Sequence, residues 1–172
     1  ENGILNEIIR FKTAEEAREV VRNCRFNPAG RRPIDGGNAD GKYANVKATD
    51  YIKTANKQRF IILQIEDPEA MDELDEIAKV EGYDMIFFGP ADFSHGLGCY
   101  GQSDKSEMMK VAQKIARAAK GNGKFAGTVG GLGDWDKIVE MGFQFIGIGA
   151  DVVALSQYCR KVLDKFKDKC AK

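Results

Sequence analysis

Two carboxylate residues stand where two apolar, strand-like runs of the sequence end. Glu66 closes the run FIILQIE (60–66), and Asp92 lies just past the run YDMIFF (83–88). Catalytic groups collect at the carboxyl ends of strands in parallel βα architectures. If these strands are neighbours, about 4.8 Å apart, both carboxylates can converge on one hard divalent cation such as Mg²⁺ or Mn²⁺, which would offset their repulsion. The spacing alone also allows a purely structural interpretation, in which Glu66 is an acidic residue at a helix start and Asp92 forms a turn.

The segment that leads to Asp92 could itself bind an anion through its backbone. In Gly89-Pro90-Ala91-Asp92, glycine permits close approach and proline removes one N–H donor, so the amides of Ala91 and Asp92 could face an anion such as a substrate carboxylate. An ordinary strand-ending turn is the alternative. His95, the one histidine of the chain, follows in the same loop. It could be a catalytic residue, because histidine titrates near neutral pH, or an ordinary surface residue.

Glycines follow the last two apolar runs. Gly130-Gly131 and Gly147-Ile148-Gly149 occupy the positions where many barrels bind phosphate on backbone amides. Tight βα turns need glycine for a different reason, since they require unusual backbone angles. Both interpretations remain open from the sequence.

Strand-length apolar runs alternate with amphipathic stretches of helix length, a pattern typical of βα units and a parallel sheet. The predicted strands cover 4–11, 60–66, 83–88, 125–129 and 143–149. The predicted helices cover 13–23, 44–56, 67–80, 103–122, 134–141 and 154–167, the first opened by a capping box of Thr13 and Glu16. Residues 25–50 contain two prolines and four glycines and are predicted to be largely irregular.

Composition excludes several classes of protein. The 172 residues balance 26 Lys and Arg against 26 Asp and Glu, for a formal net charge of +0, which disfavours a disordered chain or a general nucleic-acid binder. No apolar run approaches the ~20 residues that cross a bilayer, so no membrane partner is expected. The four cysteines, Cys24, Cys99, Cys159 and Cys170, form no C-x-x-C pair and predict reduced thiols in a cytoplasmic protein.

Several stretches together resemble the HpcH/HpaI aldolase family, the metal-dependent class II pyruvate aldolases of 2-keto-3-deoxy sugar acids and 4-hydroxy-2-oxo acids. They are RFNPAGRR (25–32), ADGKY (39–43) with Ala55-Asn56, ILQIEDPE (62–69), and IFFGPADFS (86–94) with Leu97-Gly98. The resemblance extends from about residue 13 to residue 167. The combination of QIE at one strand end with GPADxS at the next is specific, whereas either motif alone is not.

The resemblance implies a fold, a site and a reaction. The fold is α/β, a TIM (β/α)8 barrel, and Glu66 and Asp92 match the family's ligands for Mg²⁺, Mn²⁺ or Co²⁺. The carboxylate of a 2-keto acid substrate would rest on the amides of Ala91 and Asp92, in the turn formed with Gly89 and Pro90. The implied reaction is a reversible aldol cleavage to pyruvate and an aldehyde. The implied assembly is a homo-oligomer, a trimer or hexamer, in which the last helix docks on a neighbouring subunit.

The chain also departs from the family pattern. The family's catalytic histidine and arginine come from strands that precede this region, no segment here corresponds to them, and His95 does not occupy the histidine position. The expected chain is therefore a single α/β barrel domain over 1–172 that carries the C-terminal five βα units and lacks the first strands, whereas a complete barrel takes about 250 residues. Its open apolar edge would need a cover. Glu7 and Arg10 are further departures, in the first predicted strand.

Two other functions remain compatible with the sequence. A lyase resembling the citrate-lyase β-subunit or the malyl-CoA lyases would use a similar carboxylate pair and divalent ion, but with a CoA ester as substrate. A non-catalytic barrel fragment or subunit would have lost turnover together with the missing histidine and arginine.

Overall fold

The computed structural model describes residues 8–101 and 105–170, and a parallel β-sheet lies at its centre. Five strands form this sheet in the described residues: β1 Ile8–Arg10, β2 Ile62–Ile65, β3 Met85–Phe88, β4 Phe125–Gly130 and β5 Phe145–Ile148. Their spatial order is β1-β2-β3-β4-β5, with each strand parallel to the next. The sheet therefore consists of successive βα units, as the alternating pattern predicts.

Helices connect the strands. They are α1 Ala14–Cys24, α2 Ala48–Gln58, α3 Leu74–Lys79, α4 Pro90–Gly96, α5 Lys105–Gly121, α6 Trp135–Glu140 and α7 Asp151–Cys170. Short 3-10 helices cover Ala39–Gly41, Pro68–Glu73 and Leu132–Asp134.

The register brings the carboxyl ends of the strands to one edge of the sheet. Ile65 lies opposite Phe88, Phe88 opposite Thr128, and Thr128 opposite Ile146. Residues that directly follow β2 and β3 are therefore neighbours, which is the condition that the candidate site requires.

Each predicted strand is present, and residues 4–7 of the first prediction lie outside the described residues. β2, β3 and β5 are shorter than their apolar runs, whereas β4 extends one residue beyond its predicted end at Val129. Ile61 and Phe143 show the reason. Both are buried at 3% exposure, yet they precede β2 and β5 and belong to no strand. An apolar run records burial, whereas the end of a strand is set by where its neighbour stops pairing.

The predicted helix starts have mixed outcomes. The capping box before α1 is confirmed, with the Glu16 N–H donating to Thr13 Oγ1 at 3.2 Å and the Thr13 N–H donating to the Glu16 carboxylate at 3.3 Å. The predicted start of the second helix at Ala44 is wrong. Lys42, Tyr43 and Ala44 all have positive φ angles, of 49°, 53° and 65°, so a left-handed turn precedes α2.

The helix predicted over 67–80 is two elements. The Asp67 side chain accepts the Glu69 N–H at 3.1 Å and opens the 3-10 helix Pro68–Glu73, which α3 then continues. The last helix begins at Asp151 rather than at 154 because the Ala154 N–H already donates to the Ala150 carbonyl at 2.9 Å. Residues 103–104 of the predicted fourth long helix lie outside the described residues.

The main core lies between one face of the sheet and its helices. Leu63, Ile65 and Ile86 from the strands and Ile77 and Ile115 from α3 and α5 are fully buried there. Burial of each such side chain contributes about 2 kcal/mol to stability.

A second region of close packing joins the long irregular loop to α2. The Phe26 and Tyr51 rings meet edge to face at 5.4 Å, and the Asn56 side chain exchanges hydrogen bonds with both the N–H and the carbonyl of Phe26. The Arg25 guanidinium donates to the carbonyls of Gly82, Asn56 and Arg59 and pairs with Asp84 at 3.1 Å. These contacts fix the loop to the start of β3.

The last helix, α7, presents apolar side chains without cover. Val152, Leu155, Tyr158 and Phe166 are 63–68% exposed. No helix among the described residues is long and apolar enough to span a membrane.

Candidate metal and substrate site

The two faces of the sheet differ, and the candidate site lies on the face opposite the main core. Side chains alternate along a strand, so Gln64 and Glu66 point away from the buried Leu63 and Ile65. The register extends this face across the sheet, and we call it the Glu66 face. Its members from β2 to β5 are Ile62, Gln64, Glu66, Met85, Phe87, Gly89, Phe125, Gly127, Val129, Phe145 and Gly147.

Glu66 is the first residue after β2 and is half-buried. The side-chain amide of Gln64 donates a hydrogen bond to Glu66 Oε2. Gly89 lies beside them: a Cβ on Gly89 would stand 3.0 Å from both Glu66 Cβ and Gln64 Nε2, and 3.3 Å from Glu66 Oε2. The carboxylate is therefore held between its own strand and the end of β3.

Gly89 connects β3 directly to a short helix. Its N–H donates to the Ile65 carbonyl at 2.9 Å, and its carbonyl accepts the Phe93 N–H at 3.1 Å, which begins α4. Pro90 is the first helical residue, where a missing N–H costs nothing. The expectation that this segment is a loop is thus corrected, and so is the alternative of an ordinary strand-ending turn, because Pro90, Ala91 and Asp92 form the first turn of a helix.

The position of Asp92 depends on how α4 is anchored. Phe93, at 2% exposure, packs edge to face on Phe88 with ring centroids 5.4 Å apart. At the other end of α4, a Cβ on Gly96 would stand 2.7 Å from Pro68 Cδ, so the helix and the segment after β2 are in close contact. Ala91 and Asp92 themselves are exposed at the edge of the sheet.

Glu66, Gly89 and the first turn of α4 therefore lie together at the carboxyl edge of β2 and β3. Groups of three or more His, Cys, Asp or Glu side chains able to hold a metal ion are absent from residues 8–101 and 105–170. The donors predicted from the sequence are two carboxylates, those of Glu66 and Asp92. Such oxygen donors suit a hard divalent ion that keeps waters or substrate oxygens as its other ligands.

The other residues singled out from the sequence lie elsewhere. His95 is exposed in the last turn of α4, one turn beyond Asp92, and so belongs to a helix rather than a loop. Gly130 is needed for packing, because a Cβ there would overlap Ile138 Cδ1. Gly149 has a φ of +67°, which glycine adopts without strain. The packing at Gly130 and the backbone angle of Gly149 favour a role of these glycines in packing and tight turns over a role in phosphate binding.

Two residues near the site were missed in the sequence. Gln64 lies two positions before Glu66, so the period-two alternation of a strand already places it on the same face. Lys12, just after β1, contacts Glu69 at 3.1 Å and Asp67 at 3.3 Å, and these carboxylates raise the pKa of Lys12. No pattern within the sequence connects Lys12 to residues so far along the chain.

The sheet of βα units and the residues at its carboxyl edge match a known family. The family model for HpcH/HpaI aldolase/citrate lyase matches residues 10–157, and the chain belongs to this family. The resemblance found in the QIE and GPADxS motifs is thereby confirmed.

Individual relatives agree with this assignment. The chain is 35% identical over 157 residues to the hydroxypyruvate/pyruvate aldolase of Delftia acidovorans, covering 91% of this chain and 58% of that protein. It is 32% identical over 167 residues to the 5-keto-4-deoxy-D-glucarate aldolase of Shigella boydii, covering 96% of this chain and 64% of that one. The chain thus spans less than two thirds of the length of these curated relatives.

A solved structure has the same fold. The HpcH/HpaI aldolase from Desulfitobacterium hafniense superposes with a TM-score of 0.84 at 30% sequence identity, over 94% of this chain and 63% of that one. The prediction of an α/β fold with five βα units of a TIM barrel is confirmed.

Proposed function

We propose that this chain carries the metal-binding and pyruvate-binding part of a class II pyruvate aldolase, a carbon–carbon lyase. The substrate would be a 2-keto-3-deoxy or 4-hydroxy-2-oxo acid, cleaved reversibly to pyruvate and an aldehyde. The observation that supports this most is the placement of Glu66 and Asp92 at one edge of adjacent parallel strands, in a chain whose relatives are named as aldolases.

Glu66 and Asp92 would hold the divalent ion, and Mg²⁺, Mn²⁺ or Co²⁺ fits their oxygen donors. The absence of a side chain at Gly89 supports the fit, because a Cβ there would stand 3.3 Å from Glu66 Oε2 and crowd the carboxylate. When bound, such an ion would polarise the carbonyl of the keto acid and stabilise negative charge as it develops on oxygen.

The first turn of α4 would hold the carboxylate of the keto acid. Ala91 and Asp92 lie in the first turn of α4, where the backbone N–H groups of a helix point toward its N-terminal end and attract an anion. Pro90 contributes no N–H and fixes the backbone before them. Anchoring of α4 through Phe93 keeps these amides in place beside Glu66.

Metal titration tests the proposed site. Calorimetric titration with Mn²⁺ should show one binding event in the parent protein that Glu66→Gln or Asp92→Asn removes. Glu69→Gln is the matched control, because Glu69 is exposed in the segment after β2 but contacts Lys12 instead. Unchanged Mn²⁺ affinity in both site variants would refute the proposal.

Turnover separates the aldolase from its alternatives. Pyruvate release from a panel of 4-hydroxy-2-oxo acids that Glu66→Gln suppresses would identify an active aldolase and link its turnover to the site. Release of acetyl-CoA or another CoA ester product would instead indicate the citrate-lyase branch of the family. Metal binding with no turnover on any substrate would support the non-catalytic fragment or subunit.

A homo-oligomer, as a trimer or hexamer, is the proposed assembly. Support comes from α7, whose Val152, Leu155, Tyr158 and Phe166 side chains are largely exposed in the single chain. Val152, Leu155 and Tyr158 follow one another at intervals of three residues, and Phe166 lies eight residues beyond Tyr158, so all four fall on one side of the 20-residue helix. A neighbouring subunit could cover this side.

The cytoplasm is the proposed compartment. Among the described residues, Cys24, Cys99 and Cys159 form no disulfide with one another, as expected in a reducing compartment.

A further inference from the structure

Gln64 stands out as a polar side chain on a mostly apolar face. It lies on β2 opposite Phe87 of β3, and its face also carries Met85, Phe125 and Phe145. The side chain is half-buried and turns toward the carboxyl edge, where its amide donates to Glu66 Oε2. A polar group in such surroundings needs a partner, and Glu66 provides it.

The amide is confined from a second side. A Cβ on Gly89 would stand 3.0 Å from Gln64 Nε2, so the end of β3 closes the space next to the amide. Gln64 is therefore held between Glu66 and Gly89. The terminal torsion of a glutamate side chain is broad and unrestrained by itself. A fixed donor at Oε2 removes this freedom.

We infer that Gln64 is a positioning residue for Glu66, which sets the orientation of the carboxylate that binds the divalent ion. This inference rests on the proposed metal site. The physical reason is that an oriented carboxylate loses less freedom when it binds an ion, and hydrogen bonds to metal ligands typically change metal affinity 10–100-fold. Gln64 acts through Glu66 and is assigned no contact with the ion.

The test is Mn²⁺ binding by Gln64→Met, which keeps the length of the side chain and removes the donor. Electron paramagnetic resonance of free Mn²⁺ should report a dissociation constant about 10–100-fold weaker than in the parent protein. Gln113→Met, on the exposed surface of α5, is the matched control and should leave the constant unchanged. The thermal unfolding midpoint of the metal-free protein should be the same in all three, since a merely structural role would lower it.

Two results would overturn the inference in distinguishable ways. If Gln64→Met binds Mn²⁺ as the parent does while Glu66→Gln does not bind it, the metal site stands and the role of Gln64 is wrong. If Glu66→Gln also binds Mn²⁺ normally, the site itself is wrong and the inference falls with it. Should Gln64→Met fail to fold, Gln64→Asn retains a polar side chain too short to reach Oε2, and the same loss of Mn²⁺ affinity is expected.

Discussion

Gly89 and Glu66 are in such close contact that a side chain at position 89 would crowd Glu66. A Cβ on Gly89 would stand 3.0 Å from Glu66 Cβ, although the Gly89 φ angle of −100° is one that any residue adopts. The glycine of the Gly-Pro-Ala-Asp motif is therefore favoured by space rather than by backbone conformation. The proposed metal site depends on this space.

Gly89→Ala should displace the Glu66 carboxylate and weaken Mn²⁺ binding at least about tenfold, as expected for a disturbed ligand environment. Calorimetric titration measures the affinity. Gly121→Ala is the control, because nothing lies within 4 Å of a Cβ at that position near the end of α5. Equal Mn²⁺ affinities in the two variants would contradict the spacing requirement.

Arg25 should be one of the most sensitive positions for folding. Its side chain is 9% exposed, binds three carbonyls and pairs with Asp84, so Arg25→Leu leaves several buried acceptors unsatisfied. We expect the free energy of unfolding to fall by about 3 kcal/mol or more, measured by urea denaturation. Arg18→Leu, which breaks an exposed pair with Glu15, should change it by less than about 1 kcal/mol. Similar losses in both variants would show that the Arg25 contacts add little.

Tyr83 should make the protein less stable in alkaline solution. Burial, together with the nearby Glu81 charge, raises the pKa of Tyr83 above its ordinary value, so the folded state keeps the phenol protonated. Above about pH 10 the unfolded chain loses this proton and the folded chain does not. The stability contributed by Tyr83 is therefore complete below pH 10 and declines as the pH rises.

Tyr83→Phe should flatten this alkaline decline, measured as the unfolding free energy between pH 8 and pH 11 on the basis of an ordinary tyrosine pKa of about 10. The variant should also lose about 1 kcal/mol at neutral pH, because the Tyr83 hydroxyl donates to the Ile77 carbonyl at 2.9 Å. Tyr100→Phe removes an exposed phenol and should keep the parent pH profile. An identical slope for Tyr83→Phe and the parent would disprove the assignment.

The exposed apolar side chains of α7 should determine the assembly. Introducing charge with Leu155→Glu and Phe166→Glu should lower the molar mass measured by sedimentation velocity to that of a single chain. Lys161→Glu, on the same helix, should leave the mass unchanged. An unaltered mass in the double variant would place the subunit contact elsewhere.

Much of the candidate site could be predicted from the sequence, because it depends on local rules. Glu66 ends one apolar run and Asp92 lies just past the next, and the carboxyl ends of adjacent parallel strands meet at one edge. The same rules missed α4, because Gly89 and Pro90 are typical of a turn. Tertiary contacts stabilise so short a helix: Phe93 packs on Phe88, and Gly96 lies against Pro68.

The sequence by itself determined the order of the βα units, the two carboxylates and the family motifs, since periodicity and residue type are properties of short segments. Only the tertiary structure decided which groups touch. Contacts such as Gln64 with Glu66 and Gly89, Lys12 with Glu69, and Arg25 with Asp84 depend on register and on the three-dimensional path of the chain. The motif around Arg25 illustrates this difference. Its residue types resemble the family motif, whereas the contacts of Arg25 in the folded chain show that the arginine holds the loop to the start of β3.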